Sequence, residues 1–95
     1  MSKNDLIMHR LESSILDLKR AVEDAKPRVS ESYHYRLLEY DKLIETQEEF
    51  IVELRKALEL ENTTEIPRLV NLINGISDMI KQDARSILKE IEDTK

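Results

Sequence analysis

The fold is decided by residues 37–58, LLEYDKLIETQEEFIVELRKAL, in which apolar side chains recur three or four residues apart. This spacing places them on one face of an α-helix. A second apolar column lies beside the first, so the stripe is wide enough to contact two neighbouring helices. We therefore expect this segment to be the central helix of the fold. The main column is Leu37, Tyr40, Ile44, Gln47, Ile51, Leu54 and Leu58, interrupted only by the polar Gln47, and the second is Leu43, Phe50 and Ala57.

The segments on either side repeat this pattern and are separated from it by helix-ending signals. Lys26-Pro27-Arg28 ends the first segment, because proline disfavours helix in the residue before it and has no N–H to donate. Asn62 or Thr64 can cap a new helix after the central one, and Glu65 can close a capping box with Asn62. The apolar columns are Met8, Leu11, Ile15, Leu18, Val22 and Ala25 in the first segment, and Leu69, Ile73, Ile76, Ile80, Ala84, Ile87 and Ile91 in the last.

These signals predict a single helical domain over residues 1–95, with helices at about 4–25, 31–61 and 66–92. We expect Ser2 or Asn4 to cap the first helix and Ser30 or Ser32 to cap the second. Short connections make sequential helices neighbours, so the fold class is all-α. The expected architecture is an antiparallel three-helix bundle, or an elongated helical hairpin plus a third helix, with coiled-coil-like packing.

Three details of this arrangement follow less directly from the sequence. Folding the first hairpin about residue 28 would place His9 opposite residue 47. The turn near residue 62 permits the third helix to pack on its own hairpin or to exchange with a second copy. Asn74-Gly75 is a turn signal, so the third helix either kinks there or admits a close neighbour at Gly75. We expect an unbroken helix, because the apolar column continues through the dipeptide.

Composition excludes or disfavours several classes of protein. The 95 residues contain one glycine and no cysteine, which argues against a turn-rich all-β fold and excludes disulfides and thiolate metal sites. The net charge of −5 argues against nucleic acid as a partner. No apolar run approaches the roughly 18 residues of a membrane span, so we expect no membrane partner. The polar start of the chain, Met1–Asp5, favours a cytoplasmic location.

The sequence offers no convincing catalytic, cofactor or metal site. Glu31 and His34 match one Glu-x-x-His unit of di-iron bundles, but the only other histidine, His9, should lie at the opposite end of the fold. No serine sits in a glycine-flanked nucleophile turn. The carboxylates of the central helix resemble a solvated face that could steer a basic partner. They are Asp41, Glu45, Glu48, Glu49 and Glu53. We expect a protein that is not an enzyme and binds no cofactor.

The basic residues near the end of the first helix support an alternative function. Lys19, Arg20, Lys26 and Arg28 could contact phosphate, although cations there also complement the helix dipole. If these residues contact phosphate, the protein is a small regulator that acts at DNA or through a DNA-binding protein. We favour the other interpretation, in which these residues stabilise the helix.

The apolar residues that lie outside the three columns indicate a partner surface. One small core need not enclose them, and an exposed apolar patch commonly marks an interface. Tyr33 and Tyr35 are two residues apart, so at least one of them faces outward. We expect a protein–protein interaction module, an adaptor, small chaperone or accessory subunit, that self-associates most simply as a dimer. The expected interface residues are Leu6, Leu16, Tyr35, Leu38, Val52, Leu72, Met79 and Leu88.

Overall fold

The computed structural model describes residues 3–93, which form three α-helices and a short 3₁₀ helix. Helix α1 is Lys3–Ala25, α2 is His34–Glu59 and α3 is Glu65–Asp93. The 3₁₀ helix, Glu31–Tyr33, leads directly into α2. The prediction of an all-α chain with three helices is confirmed. The second helix was expected to begin earlier, but its first residues form the tighter 3₁₀ turn instead.

Helix α2 is central, because α1 and α3 both pack on it and make few contacts with each other. Ion pairs Lys19–Glu48 (3.4 Å) and Lys26–Asp41 (2.8 Å) show that α1 and α2 are antiparallel. On the other side Tyr33 Oη donates to Glu90 Oε2 at 3.3 Å, so α3 is antiparallel to α2 and packs on its own hairpin. The resulting bundle is elongated, 52 × 20 × 18 Å.

The core confirms the apolar columns, most completely in α2. All seven main-column residues of α2 are buried, including the polar Gln47, and Ala57 is buried beside them. In α1 the buried residues are Met8, Leu11, Ile15 and Val22, and in α3 they are Leu69, Ile73, Ser77, Ile80 and Ile87. The remaining column residues, such as Leu18, Ile76 and Ala84, are partly buried against this cluster. The stripe of α2 is therefore wide because it serves both neighbours.

The register of the first hairpin differs from the prediction. Glu12 pairs with Arg55, and His9 borders the same surface hollow as Leu58, so His9 lies near Leu58 and not opposite Gln47. The 3₁₀ helix and the first turn of α2 extend past the end of α1, and Lys26 consequently meets Asp41. Folding the hairpin about residue 28 did not allow for these residues.

The predicted caps of the first two helices are not formed as expected. Helix α1 already includes Asn4, so Asn4 does not cap it, and Ser2 lies outside the described residues. Ser30 precedes the 3₁₀ helix with an extended backbone but its side chain caps no backbone N–H. Its hydroxyl instead lies 2.8 Å from that of Ser32. The chain turn is closed by backbone bonds, from Arg28 N to Ala25 O at 2.9 Å among others.

The turn between α2 and α3 stops one helix and starts the next. Asn62 N donates to Ala57 O (2.9 Å) and Glu61 N to Leu58 O (3.3 Å), the paired bonds of a Schellman helix end. The side chain of Asn62 then accepts hydrogen bonds from Glu65 N (3.2 Å) and Thr64 N (3.3 Å), as the cap of α3. The prediction of Asn62 as a cap is confirmed, but Glu65 does not close a capping box, because Asn62 N donates to Ala57 O and the Glu65 carboxylate accepts from Arg68.

Glu61 occupies a position in this turn that favours glycine, since its φ of 52° is left-handed. We expect Glu61→Gly to raise the free energy of unfolding by about 1 kcal/mol, because the strain on the β-carbon is removed. The matched control is Glu59→Gly, which removes the same charge from the last residue of α2. This change should lower the free energy of unfolding by about 1 kcal/mol. Urea unfolding measures both, and changes of the same sign would contradict the assignment.

Helix α3 is unbroken through Asn74-Gly75, as predicted. Apart from the chain neighbours and the nearby backbone of α3 itself, no described atom lies within 4 Å of the position that a β-carbon on Gly75 would take. Glycine in a helix interior costs about 1 kcal/mol relative to alanine. Neither a break in α3 nor a close neighbour within residues 3–93 accounts for this glycine.

Candidate functional site

All eight side chains predicted to form an interface are exposed in the single chain, from 37% for Leu72 to 63% for Tyr35. The core therefore leaves them uncovered, as expected. They are Leu6, Leu16, Tyr35, Leu38, Val52, Leu72, Met79 and Leu88.

These eight residues lie on several surfaces and do not form one patch. Leu88 borders the space between α1 and α3, whereas Leu16 borders a hollow between α1 and α2. Within a helix, residues three, four or seven apart share a face. Tyr35 and Leu38 therefore neighbour each other on α2, with Val52 farther along nearly the same face, and Leu72 and Met79 share a face of α3, two turns apart. Leu6 is exposed near the start of α1.

The space between α1 and α3 is an open concave feature of the described chain. We call it the α1/α3 groove, and its volume is about 760 Å³. Its floor is formed by Leu37 and Tyr40 of α2 and Ile80 of α3, all of them buried. Its apolar walls are Leu18, Ala21, Val22 and Ala25 on α1 and Ala84 and Leu88 on α3.

The polar edge of the α1/α3 groove is mainly basic. Arg10, Lys81 and Arg85 border it, with Asp17 as the one acidic residue among its lining side chains. Within residues 3–93, none of these three cations forms an ion pair. The cations are thus available to acidic groups of another molecule, in contrast to several charges elsewhere on the bundle. His9, Ser13 and Ser14 complete the edge.

A polar network crosses the α2/α3 interface close to the groove floor. The buried phenol of Tyr40 donates to Asp83, and Arg36 lies 3.5 Å from the other oxygen of the same carboxylate. Burial, followed by the hydrogen bond to Asp83, raises the pKa of Tyr40 well above its usual range. Tyr40 therefore remains a neutral donor, which fixes the position of α3 against α2.

Farther along the same interface, Gln47 is fully buried. Its Nε2 donates to the Ile73 carbonyl oxygen at 2.8 Å and to Ser77 Oγ at 2.7 Å. Its Oε1 has no hydrogen-bond partner within the described residues. A half-satisfied buried amide costs stability but restricts which residues of α3 can lie opposite it. Ser77 was not predicted, because a serine gives no apolar signal.

The other clusters singled out in the sequence are parts of ordinary surface or helix-end structure. Among residues 3–93, no group of three or more His, Asp or Glu side chains is arranged to hold a metal ion. The ring nitrogen Nε2 of His34 lies 3.1 Å from the Lys26 carbonyl oxygen, at the end of α1 far from His9. The carboxylates on the outer face of α2, including Glu45, Glu49 and Glu53, are exposed.

Two members of the basic cluster at the end of α1 are engaged with acids of the same chain. Lys26 contacts Asp41 and Glu23, both at 2.8 Å, and Lys19 contacts Glu48 at 3.4 Å. The hydrogen bonds that Lys26 donates to the carboxylates of Asp41 and then Glu23 raise its pKa above its ordinary value. This arrangement holds α1 against α2 and leaves fewer free cations for phosphate.

Sequence reasoning found Leu88 but missed the groove that it borders. The pattern shows which face of each helix is apolar but not that α1 and α3 stand apart. The small side chains of Ala21 on α1 and Ala84 on α3, which both line the groove, are the signal that could have indicated it.

The comparisons with known proteins add no family to this description. No protein-family model, curated protein sequence or solved structure matched the chain. Within the part of the chain that the structure describes, no helix has the length and apolar character to span a membrane.

Proposed function

We propose that this protein is a non-enzymatic protein–protein interaction module, in the manner of an adaptor, that binds an amphipathic helix of a partner in the α1/α3 groove. The observation that carries the proposal is the apolar groove left open because α1 and α3 pack on α2 and hardly on each other. A docked helix would complete a four-helix arrangement around the same core. The lack of an enzymatic activity is part of the proposal.

The length of the groove fits a helix better than a compact ligand. Its apolar α1 wall extends from Leu18 to Ala25, and the α1 residues that line it as a whole run from His9 to Ala25, which corresponds to about 24 Å at 1.5 Å per residue. A helix of about four turns covers that distance and presents apolar side chains at i, i+3, i+4 and i+7. Burial of the groove leucines against such side chains supplies the main favourable free energy.

The charge of the groove edge determines which helix fits. Three unpaired cations against one carboxylate favour a partner with Asp or Glu beside its apolar stripe. Exposed ion pairs contribute little affinity each, so their main effect is on selectivity and association rate. A helix with basic flanks would place like charges against Arg10, Lys81 and Arg85 and would therefore bind more weakly.

A pair of synthetic probe peptides tests this function. Both are about 18 residues long with leucine at helical spacing, which gives about five turns. One carries glutamate on its flanks and the other lysine at the same positions. We expect the acidic peptide to bind at micromolar concentration and the basic peptide to bind at least about tenfold more weakly. Fluorescence anisotropy measures both, and amide chemical shifts should change along Ala21, Ala84 and Leu88.

The decisive variant is Leu88→Glu, which places a carboxylate in the groove and should abolish binding of the acidic peptide. Leu38→Glu is the matched control, because Leu38 is 57% exposed, close to the 59% of Leu88, but lies on the outer face of α2. No binding of the acidic peptide, equal binding of both peptides, or equal losses in the two variants would contradict the proposal.

The alternative function at DNA is not favoured by the structure's charge distribution. Two of the four residues proposed for phosphate contact, Lys19 and Lys26, are held by carboxylates of α2. The outer face of α2 adds further negative charge that a nucleic acid would repel. We therefore propose no nucleic-acid partner.

A further inference from the structure

A second surface of the bundle has an uncharged centre and lies on the flank of α3 away from the groove. We call it the Gly75 face. It is formed by seven exposed or half-exposed residues of α2 and α3: Leu43, Thr46, Phe50, Leu72, Gly75, Ile76 and Met79. Charged residues make up 37% of the whole chain, and the exposed charges Arg68, Asp78 and Glu53 border these seven residues without lying among them.

Contacts within the bundle place these residues on the same side. On α2, Leu43 and Phe50 follow Asp41 and Glu48 by two residues, about 200° around the helix from the side that contacts α1. On α3, Met79 precedes the groove residue Lys81 by two residues and is therefore also turned away from α1.

Antiparallel pairing then brings the two halves of the face together. Gln47 contacts Ile73 and Ser77, so Thr46 and Phe50 of α2 lie at the level of Leu72 and Ile76 of α3. The face is continuous across the α2/α3 boundary and shares no residue with the α1/α3 groove.

Gly75 at the centre of this face is the feature that the single chain leaves unexplained. It lies in an unbroken helix, where glycine is unfavourable, and no described atom beyond the nearby backbone of α3 would contact a β-carbon there. A glycine at an exposed point of a helix allows another backbone to approach closely. Leu72 and Met79, one turn to either side, are 37% and 55% exposed.

We infer that the Gly75 face pairs with the Gly75 face of a second copy of this chain, as a two-fold dimer. A two-fold contact sets each surface against itself, so a surface of one charge repels its own copy. This condition excludes the basic edge of the groove and the acidic outer face of α2. The chain as a whole is repulsive toward its copies at a net charge of −5, and the uncharged Gly75 face is where two copies meet without opposing like charges.

In this dimer the two α3 helices cross at Gly75, antiparallel. The missing β-carbon lets the helix backbones approach, and Leu72 of each copy packs beside Met79 of the other. Phe50 and Leu43 extend the contact onto α2. Methionine suits such a contact, because its flexible side chain adapts to an irregular partner surface.

Sedimentation equilibrium from about 1 µM to about 1 mM tests the inference. We expect the mass to rise with concentration from 11.2 kDa toward twice that value. Met79→Glu should remain monomeric over the whole range. Val52→Glu is the matched control, since Val52 is 54% exposed and Met79 55%, and it should dimerise like the unchanged chain.

Gly75→Ala separates a role in pairing from a role in folding. We expect it to raise the thermal unfolding temperature of the monomer, since alanine favours helix, and to weaken dimerisation at least about tenfold. The inference is overturned if the mass stays at 11.2 kDa at every concentration. It is also overturned if Met79→Glu and Val52→Glu weaken dimerisation equally, or if Gly75→Ala dimerises as strongly as the unchanged chain. It is independent of the groove, so Leu88→Glu should dimerise normally.

Discussion

Gln47→Glu should make the bundle lose stability as the pH rises, by up to about 1.4 kcal/mol for each pH unit. The new carboxyl would lie in a fully buried position whose two hydrogen-bond partners, the Ile73 carbonyl and the Ser77 hydroxyl, are neutral. Burial without a cation raises the pKa of a carboxyl in the folded state above its unfolded value of about 4.3.

The direction of this change in stability follows from whether the folded or the unfolded chain holds the proton. Below about pH 4 the glutamate is protonated in both the folded and the unfolded chain. The free energy of unfolding of the variant therefore changes with pH there much as that of the unchanged chain does. Above that pH the unfolded chain releases the proton while the folded chain retains it, so unfolding becomes more favourable until the folded pKa is reached. For a shift of about three units the total loss is about 4 kcal/mol, a large part of the stability of a small domain.

Urea unfolding of both proteins between pH 4 and pH 8 measures the difference directly. Glu48→Gln is the neighbouring control, since Glu48 is an exposed residue whose pair with Lys19 contributes little. Parallel stability curves for Gln47→Glu and the unchanged chain would show that water or a structural rearrangement solvates position 47.

Leu54→Ala should lower the free energy of unfolding by about 2–5 kcal/mol. Leu54 has no exposed surface and belongs to the face of α2 that forms the core. Truncation removes its apolar contacts and leaves a cavity that the flanking helices close only in part. At the usual scaling the midpoint of thermal unfolding falls by about 10 °C or more.

Leu38→Ala is the control for this prediction because it makes the same substitution in the same helix. Leu38 is 57% exposed, so its change should stay within about 0.5 kcal/mol. Thermal unfolding followed by circular dichroism compares the two variants. Similar shifts for both would mean that α2 is not the centre of the core.

The sequence was sufficient for the helices and for the composition of the core, because both depend on local periodicity. The column of α2 from Leu37 to Leu58 is buried at every position, and Asn62 caps α3 as its side-chain chemistry predicts. Helix-ending signals at Pro27 and Asn62 act over a few residues and are therefore readable from the chain alone.

The relations between helices were less predictable, because they depend on contacts between distant residues. The offset that pairs Glu12 with Arg55 results from the 3₁₀ helix before α2, which no spacing rule revealed. The partnership of Gln47 with Ser77 and the gap between α1 and α3 likewise arise only when the helices pack. Exposure of the surplus apolar residues was predictable, but their division among several surfaces was not.

The two proposed surfaces are compatible in one assembly, because they lie on opposite flanks of α3. Pairing through the Gly75 face leaves the groove with Leu88 uncovered on each copy. Such a dimer would offer two grooves to a partner with two helices, and simultaneous binding of both raises the apparent affinity without any new contact.

An odd number of helices also has a mechanical consequence. Because α1 and α3 run in the same direction, residues 3 and 93 lie at opposite ends of a body 52 Å long. Groups attached at these two residues are separated by the full length of the bundle. A pulling force between them loads the helices in shear along their axes. The molecule therefore has the geometry of a stiff spacer, with its lateral surfaces free along that length.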